Sequence, residues 1–146
     1  MYLFVLCEYI RFFYANIDNT RKFYVIPTRV NVVSDEPISI NIAEGVFDIL
    51  GVYYHLNNKN DINQIYSAVT GSAYISVLKY FIKLGLCGDN VTVNIYSDSD
   101  KDVGFYRNVI EEIEPWVGEI NIYYNALSKD FGVPKDNIKL IKKWGN

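Results

Sequence analysis

Cysteine and histidine are almost missing from this 146-residue sequence, which has two cysteines, Cys7 and Cys87, and one histidine, His55. Two cysteines in a chain of this length make no disulfide framework. One histidine cannot build a multi-histidine zinc site. Proline and glycine clusters are lacking too, and with no repeat or low-complexity tract there is no internal domain boundary to expect. An excess of basic charge is absent, since the formal net charge is −3, so no broad surface for duplex DNA is expected. The longest apolar stretch, Met1 to Tyr14, is interrupted by Glu8 and Arg11. It has neither a basic leader nor a small-residue cleavage site, which excludes a signal peptide and a membrane span. A soluble, cytoplasmic protein is the expectation.

What is present fits one globular domain. Half of the residues are hydrophobic and 21% are charged, enough apolar material for a core. Aromatics reach 16%, led by 13 Tyr, so several hydroxyls must reach water or a partner. The charge is unevenly spread. Residues 1–33 and 128–146 are basic on balance, whereas the stretch between holds most of the acids. A metal site flanked by phosphate-gripping segments would look this way, and so would a chance distribution in a short chain.

Residues 4–14 and 22–33 are rich in aromatic and β-branched residues around the polar cluster Asn16-Ile17-Asp18-Asn19-Thr20, the pattern of an antiparallel hairpin. ISINIA, from Ile38 to Ala43, then reads as a strand. Val46, Ile49, Leu50 and Tyr53 follow at helical spacing. A polar loop over 57–63 leads to a strand over 65–69. A helix over 74–84 stops at Gly85. VTVNIY, from Val91 to Tyr96, is another strand, a helix over 103–113 ends before Pro115, and residues 119–124 form a further strand. The lysine-rich stretch 136–143 reads as a last short helix, with Trp144 as an anchor. Strands alternating with helices imply an α/β fold, a parallel sheet of about four strands with helices on both faces.

In such sheets the working residues gather at the carboxyl ends of the strands. Glu44-Gly45-Val46-Phe47-Asp48 follows the first of these strands, and Asp98-Ser99-Asp100-Lys101-Asp102 follows the third. Two carboxylates at i and i+2 in an extended turn can present oxygens to a hard divalent cation. A third carboxylate opposite them can move a proton. Each segment also has a plain structural reading. An acid is favoured at a helix N-terminus, and Asp-rich loops turn the chain.

These residues resemble the Toprim domain of primases, topoisomerases and some nucleases, most closely the catalytic domain of phage and bacterial DNA primases, whose first motif reads Glu-Gly-x-x-Asp. The likeness covers about residues 38–131. Ala68-Val69-Thr70-Gly71-Ser72-Ala73 is similar to the family's small-residue turn between strand and helix. Leu127-Ser128-Lys129-Asp130-Phe131 is similar to the Lys-Asp stretch after its last strand. The resemblance implies a Toprim-like, Rossmann-like domain over 38–146, preceded by a β-hairpin extension over 1–37. It implies that Glu44 serves in proton transfer or metal binding, that Asp98 and Asp100 hold Mg²⁺ or Mn²⁺, and that Asp48 and Asp130 are further acids of the metal site. Two departures stand out. Lys101-Asp102-Val103-Gly104 replaces the family's residue plus Ala-Gly, and Gly132 stands where bacterial primases carry another acid.

The implied reaction is metal-dependent phosphoryl transfer on nucleic acid, by a primase core or subunit. A Toprim nuclease and a non-catalytic binding module are the alternatives, the last with Tyr53, Tyr54, Tyr123 and Tyr124 as interface anchors. Lys101, Arg107 and Lys129 are candidate phosphate contacts. Arg11, Arg21 and Lys22, interleaved with aromatics of the hairpin, suit single-stranded nucleic acid. The expected partners are single-stranded nucleic acid, nucleotides and a separate zinc-binding or helicase/primase subunit. Richness in Asn, Ile, Tyr and Lys fits an AT-rich genome such as that of a phage.

Overall fold

Ile38, Ile40 and Ile42 alternate with Ser39, Asn41 and Ala43, and this strand lies at the heart of the structure. The computed structural model describes residues 2–4, 13–16, 22–26, 28–56, 63–69 and 71–145, with the side chains of 2–4, 13–16 and 22 outside that description. In chain order the strands are β1 (Tyr2–Phe4), β2 (Phe13–Asn16), β3 (Lys22–Ile26), β4 (Arg29–Asn31), β5 (Ile38–Ala43), β6 (Gln64–Ala68), β7 (Gly88–Ser97), β8 (Val117–Asn125) and β9 (Leu140–Trp144). The helices are α1 (Val46–His55), α2 (Tyr74–Lys83) and α3 (Arg107–Ile113), the last preceded by a 3-10 turn at Val103–Tyr106.

Seven strands form one mixed sheet in the order β2-β3-β6-β5-β7-β8-β9, beside a separate β1-β4 ladder. Strands β6, β5, β7 and β8 run parallel. Antiparallel strands close both sides, β3 on β6 and β9 on β8. The protein is therefore α/β, with four parallel strands inside a wider mixed sheet. Of the expected hairpin, β2 and β3 pair antiparallel, and β3 continues the sheet on β6. β4 pairs with β1 instead, and residues 5–12 and 17–21 lie outside the described residues.

Alternation assigns the two faces. Ile38, Ile40, Ile42, Val91, Val93, Ile95, Ile120 and Ile122 pack with Tyr74, Val77, Leu78 and Phe81 of α2 and Val109 and Ile113 of α3. On the opposite face Ala43, Tyr66, Ala68 and Tyr96 pack with Ile49 and Val52 of α1 and with Phe131. Helices thus cover both faces, as expected. Helix α2 ends where the sequence places its stop. Gly85 has φ +97°, and Leu86 and Gly85 donate their amides to the carbonyls of Phe81 and Ile82 at 3.1 and 3.0 Å. This is a Schellman closure, which a left-handed glycine permits.

One expectation is corrected. The lysine-rich stretch 136–143 is not a helix but a 3-10 turn at Lys135–Asn137 followed by β9. The open side of β8 offers unpaired backbone groups, and Trp144 packs onto the core from a strand as well as it would from a helix. Trp144 is still the anchor. Pairing along the edge overrides the weak local preference of a short lysine-rich run.

Candidate functional site

Connection order decides where the acids meet. The chain leaves β5 through α1 for β6 on one side, then crosses through α2 to β7 on the other side. Neighbouring connections from β5 and β7 therefore leave in opposite directions. This reversal opens a crevice at the carboxyl ends of the two strands, the place where open α/β sheets bind ligands. Ala43 pairs with Tyr96 across this boundary. Glu44 and Asp98 are each within two residues of that pair, so the sheet brings them to one rim.

Lysines join the acids there. The Lys101 ammonium contacts the Glu44 carboxylate. Lys129, from the loop after β8, lies 3.7 Å from Asp98 Oδ2 and 3.3 Å from Asp100 Oδ2. Backbone bonds hold the loops together. Ser99 N–H donates to Lys129 O at 2.8 Å, and Lys101 N–H donates to Asp98 O at 3.2 Å. The Lys143 ammonium from β9 reaches the carbonyls of Ser99 and Lys101 and lies 4.8 Å over the Tyr124 ring.

The remaining candidates divide by role. Asp48 Oδ1 accepts the amides of Phe131 at 3.0 Å and Gly132 at 3.2 Å, so it ties the first turn of α1 to the loop that carries Lys129. Asp102 Oδ1 accepts from Phe105 N–H at 3.0 Å and caps the 3-10 turn. The structural reading therefore holds for Asp102, and the helical segment after the altered motif starts where expected. Asp130 is half-buried and acts on Asp48 and Asp98 through its charge. Arg107 opens α3 and is exposed. Arg11, Arg21 and the Lys22 side chain lie outside the described residues.

Crowding shows in the titration of these groups. Burial first, then the charges of Asp100 and Asp130, push the Asp98 carboxyl above its ordinary range against the pull of Lys129. Asp48 is pushed up by burial and by Asp130 and Asp98, against the amides of Phe131 and Gly132. Lys129 is held above the usual lysine range by its hydrogen bond to Asp100 and by both aspartates. Beneath the loop, Tyr74 and Tyr106 meet edge to face at 5.4 Å. Burial pushes both hydroxyls up, and the Asp98 charge adds to that.

Carboxylate oxygens are the hard donors that Mg²⁺ takes. Lys129 occupies a cation position that Asp98 and Asp100 both reach, which fits a divalent ion held by the same pair. Among the described residues no three His, Cys, Asp or Glu side chains converge on one point, so this donor set would be completed by water or substrate oxygens, as is usual for Mg²⁺.

Two structural groups escaped the sequence reading. Asn125, fully buried, donates to Asp130 O at 2.9 Å and Asn137 O at 2.8 Å, and accepts from the amides of Leu127 and Lys139. It clamps the loop after β8. Asn121, Asn94 and Asn41 form a relay across β8, β7 and β5, at 3.2 and 3.1 Å, that ends on Gln64 of β6 at 2.9 Å. The repeated Ile-Asn-Ile, Val-Asn-Ile and Ile-Asn-Ile of these strands was its signal. Of the four tyrosines weighed as interface anchors, Tyr53 packs against Tyr66 and Tyr123 stacks on Tyr96.

No protein-family model, curated protein or solved structure matches the chain.

Proposed function

We propose that the chain performs metal-dependent phosphoryl transfer on nucleic acid, as the Toprim-type catalytic core or a subunit of a phage-type DNA primase. One observation carries this reading. Glu44 and the Asp98–Asp100 pair leave adjacent parallel strands at the point where the connections reverse. Asp98 and Asp100 would hold Mg²⁺ or Mn²⁺, which supplies charge neutralisation for the transferring phosphate. Glu44 takes the proton of an attacking hydroxyl, being the acid on the neighbouring strand. Lys101 and Lys129 exchange carboxylate partners for phosphate oxygens. Asp48 holds the Lys129 loop at the rim. Arg107 lies further along the polynucleotide path. Template recognition would fall to a separate zinc-binding or helicase-type subunit, since two cysteines and one histidine offer no four-ligand zinc site.

Incubating the chain with end-labelled single-stranded DNA and Mn²⁺, and in parallel lanes with unlabelled DNA and labelled nucleotide, tests this. Short new products that vanish in Asp98→Asn support the primase reading. Shortening of the labelled strand that vanishes in the same variant replaces it with a nuclease. No change in either lane contradicts catalysis by the isolated chain.

A further inference from the structure

Large apolar side chains normally pack inside, yet two phenylalanines stand open at the rim. Phe47 is 79% exposed and Phe105 is 47% exposed. Neither position is incidental to the acids. Phe47 lies in the first turn of α1, three residues after Glu44, and its backbone is set against Gly132, where an added Cβ would come within 3.1 Å of the Phe47 Cβ. Phe105 lies in the turn that leads into α3, and the Lys101 ammonium that contacts Glu44 is 4.7 Å from its ring centroid. Since α1 and α3 cover opposite faces of the sheet, the two phenylalanines stand on segments at opposite faces, one following Glu44 and the other following Asp98 and Asp100 in the chain.

We infer that Phe47 and Phe105 are stacking platforms for the bases of a single strand whose phosphates cross the rim between them, an inference that rests on the nucleic-acid reading above. Lys101, paired with Glu44, stands over the Phe105 ring, so this edge is not the uninterrupted apolar face that a protein partner covers. Rings alternating with cations suit a polynucleotide instead, because every base has a face to stack and every linkage a charge to meet. Lys101, Lys129 and Lys143 supply those cations at the same edge. The Lys101–Phe105 contact also gives the ring a fixed neighbour and so a defined orientation. The Phe105 ring is thereby kept in place before the strand arrives.

Fluorescence anisotropy of a labelled oligothymidylate, with Ca²⁺ in place of Mg²⁺, tests the inference. Phe47→Ala and Phe105→Ala should each weaken binding about tenfold. Phe105→Leu, which keeps apolar bulk, should lose as much as Phe105→Ala. A strand of abasic sites should bind the wild-type chain as weakly as the intact strand binds the double alanine variant. The salt dependence should stay the same in all variants, because the phosphate contacts remain. Tight binding of the intact strand by the double variant would overturn the platforms and leave the nucleic-acid reading standing. A wild-type chain that binds neither strand would overturn that reading and the platforms with it.

Discussion

Asp98 is surrounded by groups that oppose its own ionisation. Burial and the neighbouring acids raise its pKa above the ordinary 3.8 despite Lys129. A carboxyl with a higher pKa folded than unfolded binds its proton more tightly in the folded state. Its contribution to stability is therefore greatest below the unfolded value and falls as pH rises through the folded one. Asp98→Asn is neutral throughout. Its melting temperature should match or exceed that of the wild type at neutral pH, with the gap closing as the pH drops into the ordinary carboxylate range, while metal-dependent activity is lost. Melting followed by circular dichroism checks this, and an unfolded variant would mark Asp98 as structural. Asp48 separates charge from hydrogen bonding. Asp48→Asn keeps an acceptor for the Phe131 and Gly132 amides and should fold normally. Asp48→Ala leaves the part-buried Phe131 amide without its acceptor and should cost about 1–3 kcal/mol in denaturant titration. The acids were legible because they follow strands. The second role of Asp48 was not, since its partners lie far away in the chain and are backbone groups that any sequence would supply.

Gly51 shows what the elements require of one another. Glycine inside a helix is usually worse than alanine by about 1 kcal/mol, yet a Cβ at this position would sit 1.9 Å from Phe131 O. The loop after β8 lies directly on α1. Gly51→Ala should therefore destabilise the protein by about 1–3 kcal/mol and loosen the loop that carries Lys129. Equilibrium unfolding with hydrogen exchange at Phe131 and Gly132 measures both effects, and a stabilised variant would contradict the contact. The parallel strands were readable from alternating Ile and Val, and α2 from its apolar stripe and Gly85. Residues 136–143 were misread as a helix because a strand as short and lysine-rich as β9 is defined by the neighbour it pairs with. The Asn41–Asn94–Asn121 relay teaches the converse. Its register was written in three similar strands, and a comparison among them would have aligned β5, β7 and β8.

Across the molecule, the order of connections matters more than any one motif. Each acid alone has an ordinary structural use, and Asp102 follows it. Strand order, which local patterns do not specify, puts Glu44 and Asp98 on one rim, at the ends of adjacent strands. The ends of the sheet are where sequence reading was least informative, since β3 and β9 join by pairing with strands distant in the chain. Among the described residues no helix is long and apolar enough to cross a membrane. The rim gathers more acids than lysines, a balance that repels phosphate until a cation joins it. Binding of Mn²⁺, followed by the loss of its free electron paramagnetic resonance signal, tests that requirement most directly. The expected result is a site in the wild-type chain that Mg²⁺ competes for and that both Asp98→Asn and Asp100→Asn lose. Equal Mn²⁺ binding by wild type and both variants, or none by any of them, would contradict a metal-dependent centre at this rim.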